Sequence, residues 1–207
     1  MANTLLRHTY FLIRHGVSQA NVAQVVACKP TDASGFFYGL APEGRAQAAR
    51  AADDVRALAP PSLDLAQALV FSSDFARCAE TADAVRGSLG LPEKAMWLRA
   101  ELRERDFGDL DLGPDDVYDE VWAADHQRKV YRQCESPPAV AARAMGLLEE
   151  IEDAHDGPRP VVICGHGDLL QILLASVHGH DPWSHRTVVD HMAQCEVRRV
   201  DANSSSR

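Results

Sequence analysis

Three short stretches hold residues suited to gripping an anion and attacking it: Arg14 and His15 in "RHGVSQAN", Arg77 in "SSDFARCAETA", and His166 between Gly165 and Gly167 in "VVICGHGDLL". Two guanidiniums and two imidazoles at one place would make a local anion pocket in a chain whose net charge is -9. The planar fork of arginine matches phosphate oxygens, and glycines beside the imidazoles let backbone N–H groups approach them. A neutral imidazole adds a nucleophile or a proton carrier. His8, His126, His155, His178, His180, His185 and His191 carry no such expectation, because none of them follows an apolar strand at a glycine turn. A metal held by His15 and His166 is disfavoured, since the adjacent arginines repel a cation and no matched acidic ligands follow. The stretch "DLDLGPDD" lacks the ligand order and glycine position of a calcium loop and reads as a solvated acidic surface. No metal and no cofactor is expected.

What must position these residues is a repeated pattern: an apolar, β-rich run, then a glycine or serine turn, then a helical segment. "TYFLI" runs into "RHGVSQAN", "ALVF" into the helix carrying Arg77, and "PVVIC" into "GHGDLLQILLASVHG". The second helix is expected to be capped by Ser73 or Asp74 and to run to Gly87 or Gly90; the third is expected to have Asp168 as N-cap and Gly179 as stop. Helices are also predicted over Pro42–Leu58 and Pro137–Ala154, the latter with Val140, Ala144, Leu147, Leu148 and Ile151 on one face. "QCEVRRV" reads as a last strand. The implied fold is α/β, three layers around a mostly parallel sheet, and ligands bind outside the carboxyl ends of such strands. One domain is expected over 1–207, with an aperiodic, lid-like insertion at about 106–136 and a flexible tail at 201–207.

A chain of 207 residues, 46% hydrophobic and 25% charged, can bury a sizeable core. Its acidity argues against nonspecific binding to nucleic acid or anionic membranes. Apolar runs such as "LLQILLASV" are shorter than the ~18 residues a membrane span needs, and the N-terminus lacks a signal-peptide pattern. Cys28, Cys78, Cys134, Cys164 and Cys195 are scattered without a CxxC pair, which suits buried thiols in a reducing compartment. A cytoplasmic location is expected.

The ordered series "RHGVSQAN", "GLAPEGRAQA", "SSDFARCAETA", "LRERDFGDLD", "CES", "VVICGHGDLL" and "CEVRRV" resembles the histidine phosphatase superfamily, whose fold is shared with cofactor-dependent phosphoglycerate mutases. The resemblance covers nearly the whole chain. It implies that His15 is the nucleophile, forming a phosphohistidine, and that Arg14, Arg77 and His166 bind the nonbridging oxygens. Asn21 matches the family's asparagine as a further donor to the phosphoryl group, with Ser18 and the Gly167 N–H as weaker candidates. Within "ELRERDFG" the family pattern aligns Glu104 with the general acid and base, while Glu101 is the competing carboxylate. Arg105 either touches the substrate or pairs with a neighbouring acid.

The expected partner is a small phosphomonoester, with oligomeric state open. A hydrolase is the leading expectation, a phosphoglycerate mutase the alternative from the same family, and a noncatalytic phosphate-binding module the third. The short interval from Glu104 to His166 and the acids Asp106, Asp109, Asp111, Asp115, Asp116, Asp119 and Glu120 weigh against a mutase, which must seat highly anionic bisphosphates. Val17 and Ala20 stand where the family more often has an acidic residue or glutamine and an aromatic. Tyr118, Trp122 and Tyr131 are expected to shape the leaving-group pocket or to pack the lid.

Overall fold

The computed structural model describes residues 6–201. Its strands are β1 (Thr9–Arg14), β2 (Leu69–Ser72), β3 (Met96–Leu98), β4 (Pro160–Gly165) and β5 (Val197–Val200). The helices are α1 (Gln19–Ala23), α2 (Pro42–Leu58), α3 (Ala76–Ser88), α4 (Tyr118–His126), α5 (Pro137–Ala154), α6 (Gly167–Val177) and α7 (His185–Val188). The strands form one sheet in the order β3-β2-β4-β1-β5, parallel except where β5 runs antiparallel to β1.

Alternation along the strands divides the core into two layers. Tyr10 and Leu12 of β1 and Val161 and Ile163 of β4 pack with α5 and α6, while Phe11, Ile13, Val162 and Cys164 pack with α2 and α3. These strands are buried on both faces, which is why they read as continuous apolar runs. The apolar stripe of α5 is buried as its spacing predicts: Val140, Ala144, Leu147, Leu148 and Ile151 are each at most 2% exposed. Burying leucine and isoleucine side chains of this kind contributes about 1.5–3 kcal/mol apiece. Segment 106–136 has a small core of its own, in which Phe107, Leu110, Val121 and Cys134 meet Val26 and Cys28.

Several local expectations are corrected. β3 carries no period-2 signal because it is an edge strand of three residues, with Trp97 stacked on Phe71 (centroids 5.2 Å apart). The N-cap of α3 is Phe75, without a side-chain cap. Asp74 instead pairs with Arg103, and Ser73 turns its hydroxyl to the Phe75 N–H and to His166. Asp168 lies inside α6, whose N-cap is His166, and its carboxylate faces Arg105 and His185. Gly179 does follow α6, at φ 75°, a conformation that favours glycine. The last strand begins only at Val197, after Cys195 adopts φ 58°. Beyond Asp201, the expected tail lies outside the described residues. No helix among the described residues is long and apolar enough to cross a membrane.

Candidate active site

Parallel pairing aligns the carboxyl ends of β1, β4 and β2, with Arg14 opposite Gly165 and Ser72 opposite Cys164. His15, His166 and Ser73 therefore leave three adjacent strands at one level. The His15 and His166 rings meet edge to face, with centroids 5.2 Å apart. Arg77, in the first turn of α3, reaches the same point through its Nε, 3.2 Å from His15 Nε2. Gly16 serves close approach: a Cβ there would lie 2.7 Å from the Gly44 carbonyl oxygen of α2, so the turn that carries His15 rests directly on the neighbouring helix.

The hydrogen bonds of His15 define its tautomer. The Gly16 carbonyl, 2.7 Å from Nδ1, can only accept, and Arg77 Nε can only donate. Nδ1 therefore carries the proton and Nε2 the lone pair. Burial, then the charges of Arg77 and Arg14, hold the His15 pKa well below the ordinary histidine value. A neutral imidazole is the state this surrounding favours. Among the described residues, Arg14 Nε, Arg77 Nη1 and His166 Nδ1 are buried without any hydrogen-bond partner. Such groups cost about 1–3 kcal/mol each when left unpaired, and here three of them gather around one imidazole. His166 Nε2 lies 3.0 Å from Ser73 Oγ and 3.3 Å from Cys78 Sγ, so that edge of the ring is held by two side chains while Nδ1 is left unpartnered. A cluster of this kind can take the oxygens of an anion.

A cavity of about 300 Å³ opens beside this cluster, lined in part by Arg14, His15, Arg77, Glu104 and Gly167. His166 lies behind the wall, fully buried. Ser18 and Asn21 also line the cavity, yet they first serve each other: Ser18 N–H and Oγ both donate to Asn21 Oδ1, in a capping box for α1. That bond leaves the Asn21 amide nitrogen as its donor toward the cavity.

Glu104 enters from the loop after β3. Its Oε1 accepts from the N–H groups of Arg105 (2.9 Å) and Leu169 (3.2 Å). Burial and the nearby Asp168 charge push its carboxyl above the ordinary glutamate value, against the pull of those N–H groups and Arg77. Arg143 of α5 clamps the backbone beneath it, donating to the carbonyls of Glu101, Arg103 and Glu104. Glu101 is turned away and paired with Arg99.

Arg105 is paired with neighbouring acids. It is fully buried, away from the cavity wall, with Nη1 and Nη2 on Asp125 (2.6 and 2.8 Å) and Nη1 on Asp168 (3.0 Å). His185 Nε2 and Trp122 Nε1 both contact Asp168 Oδ1, at 3.1 and 3.3 Å. Burial alone would raise the Asp168 pKa, but His185 and Arg105 pull it far below the usual carboxylate range. This buried cluster ties α4 to α6 and α7.

The cavity is also lined by residues without a strand-end signal: Tyr118 and Trp122 of α4, Arg186 of α7, then His191 and Gln194. Tyr118 stacks on Trp122 at 5.4 Å, while Tyr131 is not part of the lining and bonds Glu120 instead. Arg14 Nη1 donates to His191 Nε2 at 2.6 Å. His191 and His185 are thus integral to the site or its support, contrary to expectation. They were illegible because their signal is contact across 177 and 17 residues rather than a local pattern. Of the seven acids after Arg105, only Asp115 lines the cavity.

Known proteins of similar structure share this architecture. Mycobacterial hydrolase 1 is 24% identical, with a TM-score of 0.74 over 93% of this chain and 88% of its own. YhfR of Bacillus stearothermophilus is 23% identical, also with a TM-score of 0.74, over 96% and 93%. The alpha-ribazole phosphatase of Shigella flexneri is 24% identical, with a TM-score of 0.71 over 95% and 92%. These likenesses establish the fold. Among curated proteins, no sequence matches this chain significantly. Residues 10–206, which include the ends of β1, β2 and β4, match the family model of the histidine phosphatase superfamily (branch 1), and the chain belongs to that superfamily.

Proposed function

We propose that the protein is a phosphomonoester hydrolase acting through a phosphohistidine at His15. The observation that carries this reading is the convergence of three unpartnered buried nitrogens, Arg14 Nε, Arg77 Nη1 and His166 Nδ1, around an imidazole whose Nε2 lone pair is met by the Nε–H of Arg77. A phosphoryl group seated beside His15 would take hydrogen bonds from Arg14 and Arg77, whose fixed charges meet the charge that spreads over its equatorial oxygens. His15 Nε2 forms the N–P bond as the ester P–O bond breaks, and Glu104 gives its proton to the departing oxygen. The Glu104 carboxylate then takes a proton from water, whose oxygen attacks phosphorus and releases His15. The site residues need no metal for this sequence, because the guanidiniums supply the positive charge. Neighbours such as mycobacterial glucosyl-3-phosphoglycerate phosphatase, 24% identical, support a phosphatase reading through their shared fold.

Phosphoryl transfer of the mutase type would use the same first step. Asp115 on the cavity wall opposes the second phosphate of a bisphosphate, which favours hydrolysis. A rapid acid-free quench after mixing with a radiolabelled aryl phosphate should trap an acid-labile, base-stable phosphoenzyme, absent in His15→Ala along with turnover. Full activity in His15→Ala would overturn the proposal.

A further inference from the structure

Arg14 stands at the end of a chain of hydrogen bonds whose directions are fixed by the groups in it. Gln171 of α6 is buried, and its amide nitrogen donates to the Val189 carbonyl at 2.8 Å. That turns its Oε1 toward Arg186, whose Nη1 donates to it at 2.6 Å, and toward His191 Nδ1 at 3.4 Å. On the other side of the imidazole, Nε2 lies 2.6 Å from Arg14 Nη1, which can only donate. Nε2 therefore holds the lone pair, and the neutral ring carries its proton on Nδ1, facing an oxygen. The same Nη1 of Arg14 donates to the Met192 carbonyl at 2.7 Å, so two consecutive residues hold it between them. Arg14 Nε is left buried without a partner. A Cβ on Gly167, the first residue of α6, would lie 3.4 Å from that Nε and 3.6 Å from His191 Cε1, which sets both groups at the helix start beside the cavity.

We propose that His191 is a positioning residue for Arg14: its Nε2, together with the Met192 carbonyl, fixes Nη1 so that Nε is kept for an oxygen of the phosphoryl group. This rests on the hydrolase reading of the same cavity. The arrangement requires a neutral imidazole, because a proton on Nε2 would meet the Arg14 guanidinium head on. Arg14 of β1 and Arg186 of α7 face the ring, with Arg186 Nη1 3.4 Å from Nδ1, and are opposed by Asp168 of α6 and by Glu196 ahead of β5. Desolvation, then the two guanidiniums, outweigh the acids and hold His191 below the ordinary histidine value. An arginine side chain has many rotamers, and one held at Nη1 by two acceptors no longer samples those in which Nε misses the anion. His191 itself is exposed, so packing gives it little to contribute, and its contact with Arg14 is what its removal would change.

The test sets His191→Gln, which offers an uncharged acceptor near the place of Nε2, against His191→Phe, which fills the space of the ring without one. With p-nitrophenyl phosphate, His191→Phe should lose roughly tenfold to a hundredfold in kcat/KM, more in kcat than in KM, and His191→Gln should recover most of that loss. Calorimetric titration with inorganic phosphate should show Kd raised roughly threefold to tenfold in His191→Phe, the range for one hydrogen bond, and near the wild-type value in His191→Gln. A further measurement needs no variant to fold: 15N NMR of the wild-type histidines near neutral pH should find His191 uncharged, with its proton on Nδ1. A ring protonated on Nε2 or charged would overturn the proposal. So would wild-type protein with no measurable affinity for phosphate, a His191→Phe variant within twofold of wild type in that affinity, or a His191→Gln variant no better than His191→Phe. If phosphate affinity follows the His191 series while the wild type releases no phosphate from any ester, the hydrolase reading fails and the positioning of Arg14 stands.

Discussion

The two ends of the cavity are built in different ways. At the phosphoryl end, Arg14, His15 and His166 come from the ends of β1 and β4, Ser73 from the end of β2, and Arg77 from the helix that follows it, so the sheet's register places them. Their polar atoms are unusually underused, with three buried nitrogens unpaired. At the leaving-group end, Tyr118, Trp122 and Arg186 come from short helices in connecting segments and hang from the buried Arg105, Asp125, Asp168 and His185 cluster. Within that cluster Arg105, Asp125, Asp168 and His185 are bonded to one another. A rigid sheet can carry unpaired donors because strand pairing already holds them in place; segments without a sheet need their charges spent on holding together. The contrast separates arginines that keep an unpaired nitrogen from an arginine matched by two carboxylates.

The sharpest way to break that contrast is at Glu104. Glu104→Gln should lower kcat/KM for alkyl phosphates by about 10²–10⁴-fold, the range for loss of general acid catalysis. It should cost less with p-nitrophenyl phosphate, whose leaving group departs without a proton. The pH profile follows from the two shifts. His15 must be neutral, and its lowered pKa puts the acid limb below the ordinary histidine range; Glu104 must be protonated, and its raised pKa puts the alkaline limb above the ordinary glutamate range. Glu104→Gln should abolish the alkaline limb. A limb that persists unchanged would assign the proton to another group.

Arg105→Met and Arg77→Met test the division of labour between arginines. Removing Arg105 leaves Asp125 and Asp168 buried together, and urea unfolding should show a loss of about 3–5 kcal/mol. Arg77→Met should abolish activity with a smaller stability change, because it removes hydrogen bonds to the neutral Ala27 carbonyl and His15 Nε2 and strands no buried carboxylate. Equal stability losses would erase the distinction. Acid titration of the wild type probes the same cluster. Asp168 has its folded pKa depressed, so its contribution is present above the unfolded aspartate value near 3.9 and is lost as pH falls toward the folded one. Trp122 fluorescence should report that release in acid, and lose the transition in Asp168→Asn.

The smallest effect is expected at Tyr131→Phe. The Tyr131 hydroxyl bonds Glu120 on the outside of segment 106–136, and the residue is absent from the cavity lining. Stability should change by no more than about 0.5 kcal/mol, with kcat/KM unaltered for every substrate. A marked loss of activity would extend the leaving-group end beyond its present lining.

Legibility in the sequence follows the same division. The strands β1, β2 and β4 and the helices α2, α5 and α6 announce themselves because their residues are buried in regular patterns, and the candidate residues Arg14, His15, Arg77 and His166 sit at fixed offsets from those patterns. Asp168 misled as a helix cap, since an acid near a helix start is usually satisfied locally, whereas here a buried arginine more than 60 residues away claims it. Arg186 and His191 had no local signal at all. Their positions depend on α7 docking onto α6 and on a contact from β1 across the sheet.

The amino-acid order alone thus determined the α/β layering and the strand-end cluster of histidines and arginines, because periodicity and turn residues act over a few positions and survive without tertiary context. Only the tertiary structure decided which charges remain free for a ligand. Arg77 and Arg105 are alike as residues in a sequence, yet Arg105 is matched by two buried carboxylates and Arg77 leaves a nitrogen unpaired beside His15. The reason is physical: the cost of burying a charge is paid by whatever partner the fold brings within about 3 Å, and that distance exists only once the chain has packed.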